Sequence, residues 1–350
     1  MDIPSFVNPI LYTQLFEQNL KIIAKLGKGV NGEVYLVERT DDFEKYAIKV
    51  FEYFFSLEDM KFGTNLSDIN FSLSLKHPYI IRSHKFFRTN NYMGILMDRA
   101  DDDLCSYMNS SNLGYVEKIK FMYQIGAALD YLASLGYVHC DLKPNNILLK
   151  KRNILLADFG LTRIKEHVEP DFCQTYCYRA PELIYDPNEN NKYTELFPRN
   201  KRINWLHDQI TAEMWTFGLI CLDIIYDKPF LTYCGKINSE TPENEDEYSK
   251  LLIRFCREHE KLSSYETIIS YYGEPKNPEL LEVIANLFLQ FNPDKRTRSY
   301  KEFLGNPIFE TIHIQELYYC PQMPRLRPIG NSIVEKEGIY TPDFLSITTK

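Results

Sequence analysis

The segment Tyr137–Leu149, Y-V-H-C-D-L-K-P-N-N-I-L-L, places several reactive side chains close together in the chain. It contains a carboxylate at Asp141, an ammonium group at Lys143 and a carboxamide at Asn146. Apolar residues on both sides predict that this polar loop is held between buried segments. Phosphoryl transfer needs a carboxylate for the hydroxyl proton, a cation for the phosphoryl charge and an oxygen ligand for Mg²⁺. The segment therefore predicts a phosphoryl-transfer site.

Two neighbouring segments extend this hypothesis. Downstream, Asp158-Phe159-Gly160 supplies a second oxygen ligand suited to a hard metal ion. Upstream, the glycine-rich run 27–32, G-K-G-V-N-G, would let backbone N–H groups approach phosphate oxygens. Alone this glycine pattern is weak, because dinucleotide-binding folds share it. Those folds continue into a helix, whereas here strand-type residues follow, including Lys49 within Y-A-I-K-V. A lysine inside an apolar strand favours a nucleotide-phosphate contact over a surface position.

Taken in chain order, these segments resemble the eukaryotic protein kinases. The catalytic-loop pattern H-R-D-x-x-x-x-N is matched from His139 to Asn146, except that Cys140 stands in the place of Arg. The glycine hairpin, the lysine strand and Asp158-Phe159-Gly160 follow the spacing of that family. Residues 178–182, Y-R-A-P-E, resemble the end of a kinase activation segment, and Arg179 is typical of the cyclin-dependent and MAP kinase group. The form H-C-D at Cys140 resembles the dual-specificity tyrosine-regulated kinases.

The resemblance implies further contacts in the large lobe. Glu182 is expected to pair with Arg296, and Thr175 is expected to bond the catalytic carboxylate and lysine. Glu213-Met214-Trp215-Thr216-Phe217-Gly218 is similar to a buried D-x-W-x-x-G helix, with Glu213 in place of Asp.

The resemblance also implies a full set of site residues. ATP and Mg²⁺ are the expected cofactors, with Mn²⁺ as an alternative metal. Catalytic roles fall on Asp141, Lys143 and Thr175, and metal binding falls on Asn146 and Asp158. Nucleotide binding falls on Leu26, Gly27, Gly29, Gly32, Val34, Ala47, Lys49, Asp68, Met97, Asp98, Ala100, Asp103 and Leu148.

Several positions depart from the kinase pattern. The helix residue that pairs with the strand lysine is Glu in kinases, and counting back from Pro78 assigns it to Asp68 here. Two positions that are apolar in the kinase regulatory spine are Ser72 and Ser83, whose hydroxyls need partners if they are buried. Cys140 cannot make the bidentate phosphate contact of the usual Arg. The activating Thr or Tyr positions of the related kinases fall on Pro170 and Phe172. We therefore expect activity that does not depend on phosphorylation of the activation segment.

The resemblance implies an α+β, bilobal fold, with a small antiparallel β lobe carrying one helix and a large, mostly helical lobe. We predict a lead-in at 1–19 that packs on the first sheet, and a kinase domain at 20–310. The small lobe would cover 20–99 and the large lobe 100–310. An insertion at 186–207 and a tail at 311–350 are candidate sites for a protein partner.

Composition limits the alternatives. The formal net charge of −8 argues against sequence-independent nucleic-acid binding, which needs phosphate neutralisation. The eight cysteines show no C-x-x-C or zinc-ligand spacing, which favours free thiols in a reducing compartment. No apolar run is long enough to span a membrane, and we expect a soluble, intracellular protein that is cytoplasmic, with the nucleus as an alternative.

Two other functions fit part of the pattern. A pseudokinase that binds ATP without catalysis is favoured by Asp68, Ser72, Ser83 and Glu213, and opposed by intact Lys49, Asp141, Asn146 and Asp158. A small-molecule kinase would share the catalytic Asp and Asn but lack A-P-E and its Arg partner. Thr175, Glu182 and Arg296 therefore favour a protein substrate.

Overall fold

The computed structural model describes residues 3–29, 32–52, 71–89, 91–164, 175–183, 209–228, 252 and 263–311. The strands are β1 Leu20–Gly29, β2 Gly32–Arg39, β3 Lys45–Glu52, β4 Ser83–Arg88, β5 Tyr92–Asp98, β6 Asp102–Asp103, β7 Tyr137–Val138, β8 Ile147–Lys150, β9 Asn153–Leu156 and β10 Arg163–Ile164. The helices are α1 Pro9–Phe16, α2 Leu104–Ser110, α3 Tyr115–Ser134, α4 Gln209–Tyr226, α5 Ser264–Tyr272, α6 Pro278–Leu287 and α7 Lys301–Leu304.

The first five strands form one antiparallel sheet in the order β1-β2-β3-β5-β4. Because successive side chains of a strand point to opposite faces, β3 divides its residues between two surroundings. Ile48 and Val50 join an apolar cluster on one face, whereas Phe51 joins a second cluster with Ile95 of β5. Lys49 shares the face of Phe51, so the sheet presents this lysine towards the cleft.

Helix α1 covers the other face of the sheet. Asn8 caps its first turn by accepting a hydrogen bond from the Ile10 N–H, and Pro9 occupies the first helical position. Leu11 and Leu15 are buried in the same cluster as Ile48 and Val50. The expectation that the lead-in packs on the first sheet is therefore confirmed, and the structure adds that it does so as a helix. Of the helix expected at 56–76, the structure describes residues 71–74, which are helical.

The large lobe is built around two long helices. Helix α3 buries its Ile119, Ile125 and Leu129 side chains, which recur at helical spacing along one face. Helix α4 is buried on all sides from Gln209 to Ile224, so it forms the centre of this lobe. The sheet on one side and the helices on the other confirm the predicted α+β, bilobal kinase-like fold.

Candidate active site

The loop from His139 to Asn146 connects β7 to β8 and carries the predicted catalytic side chains. Cys140 has a φ of 64°, a left-handed conformation that few L-residues adopt. The loop closes with a 3₁₀ turn at Pro144–Asn146, where the Asn146 N–H donates to the Lys143 carbonyl at 2.9 Å. This turn returns the Asn146 side chain to Asp141, and its Nδ2 donates to the Asp141 backbone carbonyl at 2.8 Å.

The Asp141 carboxylate is the centre of a hydrogen-bond network. Its Oδ1 accepts from Thr175 Oγ1 at 2.6 Å, and its Oδ2 accepts from Lys143 Nζ at 2.7 Å. Asn146 Nδ2 also donates to Oδ2, at 3.0 Å. Lys143 Nζ donates in addition to Thr175 Oγ1 at 3.1 Å, which closes the network. One carboxylate is thus held by an ammonium, a hydroxyl and an amide, and only 8% of Asp141 is exposed.

A buried carboxylate of α4 holds the start of this loop by hydrogen bonds. Glu213 Oε2 accepts the backbone N–H groups of His139 at 2.6 Å and Cys140 at 3.2 Å. Its Oε1 accepts the hydroxyl of Tyr300 at 3.0 Å. Burial raises the pKa of Glu213 to about 7, although these donors favour the ionised form. Glu213 therefore lies buried as the sequence predicts and fixes the start of the loop.

His139 connects the loop to the strand that precedes Asp158. Its Nε2 lies 3.0 Å from the Ala157 carbonyl, and its Nδ1 lies 3.3 Å from the Asp141 N–H. A carbonyl only accepts and an N–H only donates, so Nε2 carries the proton and the ring is neutral. Burial lowers the pKa of His139, which agrees with that tautomer.

Lys49 and Asp158 form an ion pair across the cleft. Lys49 Nζ lies 2.5 Å from Asp158 Oδ1, although 109 residues separate the two in the chain. Burial by itself would raise the pKa of Asp158, but the charge and hydrogen bond of Lys49 outweigh it and lower the pKa below its usual value. Asp158 has a φ of 63°, and the N–H of its neighbour Ala157 donates to the Asn146 carbonyl at 2.9 Å. The two predicted metal ligands are therefore joined through the backbone.

The glycine-rich hairpin is formed by β1 and β2, whose last registered pair is Gly29 with Gly32. Gly32 has a φ of 141°, and a Cβ there would lie 2.4 Å from the Val50 carbonyl oxygen. No other residue fits this position, because both the conformation and the space require glycine. On the hairpin's flank, Glu33 accepts hydrogen bonds from Lys25 and Tyr35, which lower its pKa.

The hinge between the two lobes begins at Asp98, the last residue of β5, and runs to Asp101, which precedes β6. Met97 is the registered neighbour of Ala47, and Asp103 is the registered neighbour of Leu148, so the strands bring these four predicted nucleotide residues together in pairs. Asp103 also caps α2 by accepting the Ser106 N–H at 3.0 Å and the Ser106 hydroxyl at 2.8 Å. Asp103 therefore also starts the next helix.

The segment after Thr175 is anchored to the large lobe by a buried ion pair. Arg296 donates to both oxygens of Glu182, at 2.5 and 2.8 Å, and both side chains are fully buried. The same guanidinium donates to the carbonyls of Thr211 and Gln290 at 3.0 and 2.6 Å. The expected Glu182–Arg296 pair is present, and it fixes the segment that precedes α4.

The structure leaves some predicted residues outside its description. These are Asp68, Pro170, Phe172, the insertion at 186–207 and residues 312–350 of the predicted tail. Two side chains near the hinge were missed by the sequence reasoning, namely His84 and Lys150, which both bond Asp98. No local pattern could have identified them, because they lie 14 and 52 residues from Asp98 in the chain.

Similarity to known proteins identifies the family of this chain. Residues 20–309 match the model of the family described as the protein kinase domain. The chain is 31% identical over 221 residues to a serine/threonine-protein kinase Sgk1 from Xenopus tropicalis, which covers 61% of this chain and 47% of the relative. It is 29% identical over 347 residues to human ribosomal protein S6 kinase alpha-3, which covers 94% of this chain and 40% of the relative. The chain thus spans about half the length of the curated relatives that it matches.

Proposed function

Because this chain belongs to the protein kinase domain family, we propose that it transfers the γ-phosphoryl group of ATP to Ser and Thr hydroxyls of protein substrates. The observation that carries the proposal is the network in which Lys143, Thr175 and Asn146 all hold the Asp141 carboxylate. A carboxylate positioned in this way can accept the proton of an attacking hydroxyl.

The residues present suit Mg²⁺. Within the described ranges, Asn146 donates only through Nδ2 and Asp158 bonds Lys49 only through Oδ1, so Asn146 Oδ1 and Asp158 Oδ2 have no protein partner. Two hard oxygen atoms combined with nucleotide phosphates are a donor set that Mg²⁺ prefers. When bound, the metal would offset the charge of the phosphates.

The chain's own residues would position the nucleotide, accept the proton and balance charge. Lys49, held on the cleft face of β3, would orient the α- and β-phosphates. Asp141 would take the hydroxyl proton as the substrate oxygen bonds to the γ-phosphorus and ADP departs. Lys143 lies beside this carboxylate and would balance the negative charge of the phosphoryl group during its transfer. Catalysis of this kind depends on positioning and electrostatics.

The substrate class is inferred from the segment 175–183. Thr175 bonds both catalytic side chains, and the buried Glu182–Arg296 pair holds the segment against α4. This arrangement supports a protein substrate with Ser or Thr acceptors. Among the described residues no helix has the length and apolar character to cross a membrane. Cysteines 105, 140, 177 and 221 form no disulfide bond in the described part of the chain. The thiols support our expectation of a reducing, intracellular compartment.

We further propose that activity does not require phosphorylation of the activation segment. Cys140 is buried, with 1% of its surface exposed, and a thiol cannot hold a phosphate as a guanidinium does. Phosphatase-treated and untreated protein should therefore show the same kcat. A loss of activity on treatment would contradict this part of the proposal.

Transfer of labelled γ-phosphate from ATP to a generic basic protein tests the activity itself, with Asp141→Asn as the matched variant. We expect wild-type transfer and a loss of at least about 100-fold in the variant. Equal signals from the two proteins would show that the activity does not come from this site, and would favour a nucleotide-binding pseudokinase.

A further inference from the structure

One carboxylate in the hinge is shared by side chains from both lobes. Asp98 Oδ1 lies 2.6 Å from His84 Nε2, and Asp98 Oδ2 lies 3.1 Å from Lys150 Nζ. His84 belongs to β4 of the small lobe, whereas Lys150 ends β8 of the large lobe. Because the carboxylate accepts, His84 Nε2 must carry a proton in this contact.

Further contacts hold these three side chains in place. The ring of Tyr46, the registered neighbour of Asp98 on β3, meets the His84 ring edge-on at 5.3 Å. The Asp98 N–H donates to the Arg82 carbonyl at 2.9 Å. Burial alone would raise the pKa of Asp98, but its bonds to His84 and Lys150 lower it, so the carboxylate stays ionised.

The backbone beyond Asp98 is attached to the same hairpin of the large lobe. The Asp101 N–H donates to the Leu149 carbonyl at 2.7 Å, and the Asp101 carboxylate accepts the Lys151 N–H at 2.9 Å. The hinge is thus bonded to β4 on one side and to the β8–β9 hairpin on the other. Asp98 is the residue where the two sets of bonds meet.

We propose that His84, Asp98 and Lys150 form an interlobe latch that positions the hinge backbone for the adenine of the nucleotide. The inference rests on the proposed function, because it assigns the nucleotide to this hinge. Asp98 and Ala100 belong to the nucleotide-binding set that the kinase resemblance implies, and their backbone groups would face the base. The latch fixes Asp98 before the nucleotide arrives, so less conformational freedom is lost on binding. His84 and Lys150 are positioning residues, since they act through Asp98 and not on the nucleotide.

The latch predicts an effect on nucleotide affinity that a contact with a purely structural role would not produce. Breaking it should weaken nucleotide binding and leave the chemical step nearly unchanged, because Asp141 and its network are elsewhere. Two variants each remove one contact, His84→Phe and Lys150→Met. Two controls accompany them. His84→Gln keeps an N–H donor near the position of Nε2, and Lys151→Met removes the neighbouring exposed ammonium, which makes no ion pair with the described residues.

The test measures the equilibrium dissociation constant of N-methylanthraniloyl-ADP with Mg²⁺ by fluorescence, together with KM for ATP and kcat, on the full chain. We expect His84→Phe and Lys150→Met each to weaken binding about tenfold, the worth of one hydrogen bond to a charged group. The kcat values should stay within about threefold of wild type. His84→Gln and Lys151→Met should bind as wild type does.

Three outcomes would overturn the latch. Unchanged affinity in folded His84→Phe and Lys150→Met would do so, as would an equal loss in Lys151→Met, which would assign the effect to net charge. A wild-type chain that does not bind the probe would overturn both the latch and the proposed function. A wild-type chain that binds the probe but transfers no phosphate would contradict the proposed function alone, and the affinities of the variants would still decide on the latch.

Discussion

The hydroxyl oxygens of Ser72 and Ser83 lie 2.6 Å apart, so the two side chains form a hydrogen bond with each other. Both occupy positions where the kinase resemblance implies apolar contacts, and Ser72 is only 8% exposed. The neighbouring Phe71 packs against Phe159, with ring centroids 6.0 Å apart. The serine pair therefore joins the helical residues 71–74 to β4, next to the side chain that follows Asp158.

This pairing predicts strong coupling between two substitutions. Ser72→Ala or Ser83→Ala alone should lower the free energy of unfolding by about 1–2 kcal/mol, because each leaves one hydroxyl without its partner. The double variant should cost at least about 0.5 kcal/mol less than the sum of the two. Urea unfolding of the four proteins measures this cycle, and strictly additive losses would show that the contact contributes nothing.

Thr175 should matter for turnover more than for nucleotide affinity. Thr175→Val has a similar shape but loses the bonds to Asp141 and Lys143, so the carboxylate loses a constraint on its position. We expect kcat to fall about 10- to 100-fold with little change in KM for ATP. Thr175→Ser retains the hydroxyl and is the matched control, which should keep most of the activity. A Thr175→Val protein with wild-type kcat would exclude this role.

The Glu182–Arg296 pair should be the most costly ion pair to break among those described. Arg296→Met should destabilise the fold by about 3–5 kcal/mol, because it leaves a buried carboxylate and three backbone carbonyls, those of Thr211, Gln290 and Phe291, without their donor. Glu182→Leu combined with Arg296→Met should recover part of that loss. Arg152→Met is the control, since it breaks an ion pair with Glu117 whose arginine side chain is 71% exposed. That change should cost less than about 1 kcal/mol.

Glu213 should make stability depend on pH. Its pKa is raised to about 7 in the folded protein from an ordinary value of 4.5, so the folded state binds this proton more tightly than the unfolded chain does. The resulting stability is fully present below pH 4.5 and is lost as the pH rises through 7, a change of about 3 kcal/mol.

Glu213→Gln removes that titration while its amide can still accept the N–H groups of His139 and Cys140. Relative to wild type, the variant should gain stability between pH 6 and pH 8.5, as measured by urea unfolding at both values. A difference between the two proteins that does not change with pH would show that Glu213 does not titrate in this range.

Two helix glycines should respond differently to the same change. A Cβ at Gly218 would lie 2.7 Å from Leu289 Cδ2 and 2.8 Å from Phe288 Cβ, so Gly218→Ala should destabilise the fold by about 1–3 kcal/mol. A Cβ at Gly126 would have its closest contact at 3.3 Å, with Leu304 Cδ2. Gly126→Ala also gains helix propensity, so it should stay within about 1 kcal/mol of wild type. Thermal unfolding of both variants distinguishes them, and equal losses would contradict the packing argument.

Most of the inferences from sequence rest on residues that lie close together in the chain. Asp141, Lys143 and Asn146 lie within six positions, so one loop and one turn are enough to bring them together. The glycine hairpin was identified in the same way, because the strand-type residues that follow it exclude a helix. Family membership and the α+β fold followed from the order of such local patterns, since each pattern depends on its own short segment.

The tertiary structure decided the contacts between residues that are distant in the chain. It paired Lys49 with Asp158 across 109 residues, and placed His84 and Lys150 on either side of Asp98. It also placed the hydroxyl groups of Ser72 and Ser83 within hydrogen-bond distance of each other. Periodicity and composition indicate that such side chains are buried or polar, but not which of them meet. Their partners are determined when the strands, helices and lobes pack together, because that packing sets the distances between residues far apart in the chain.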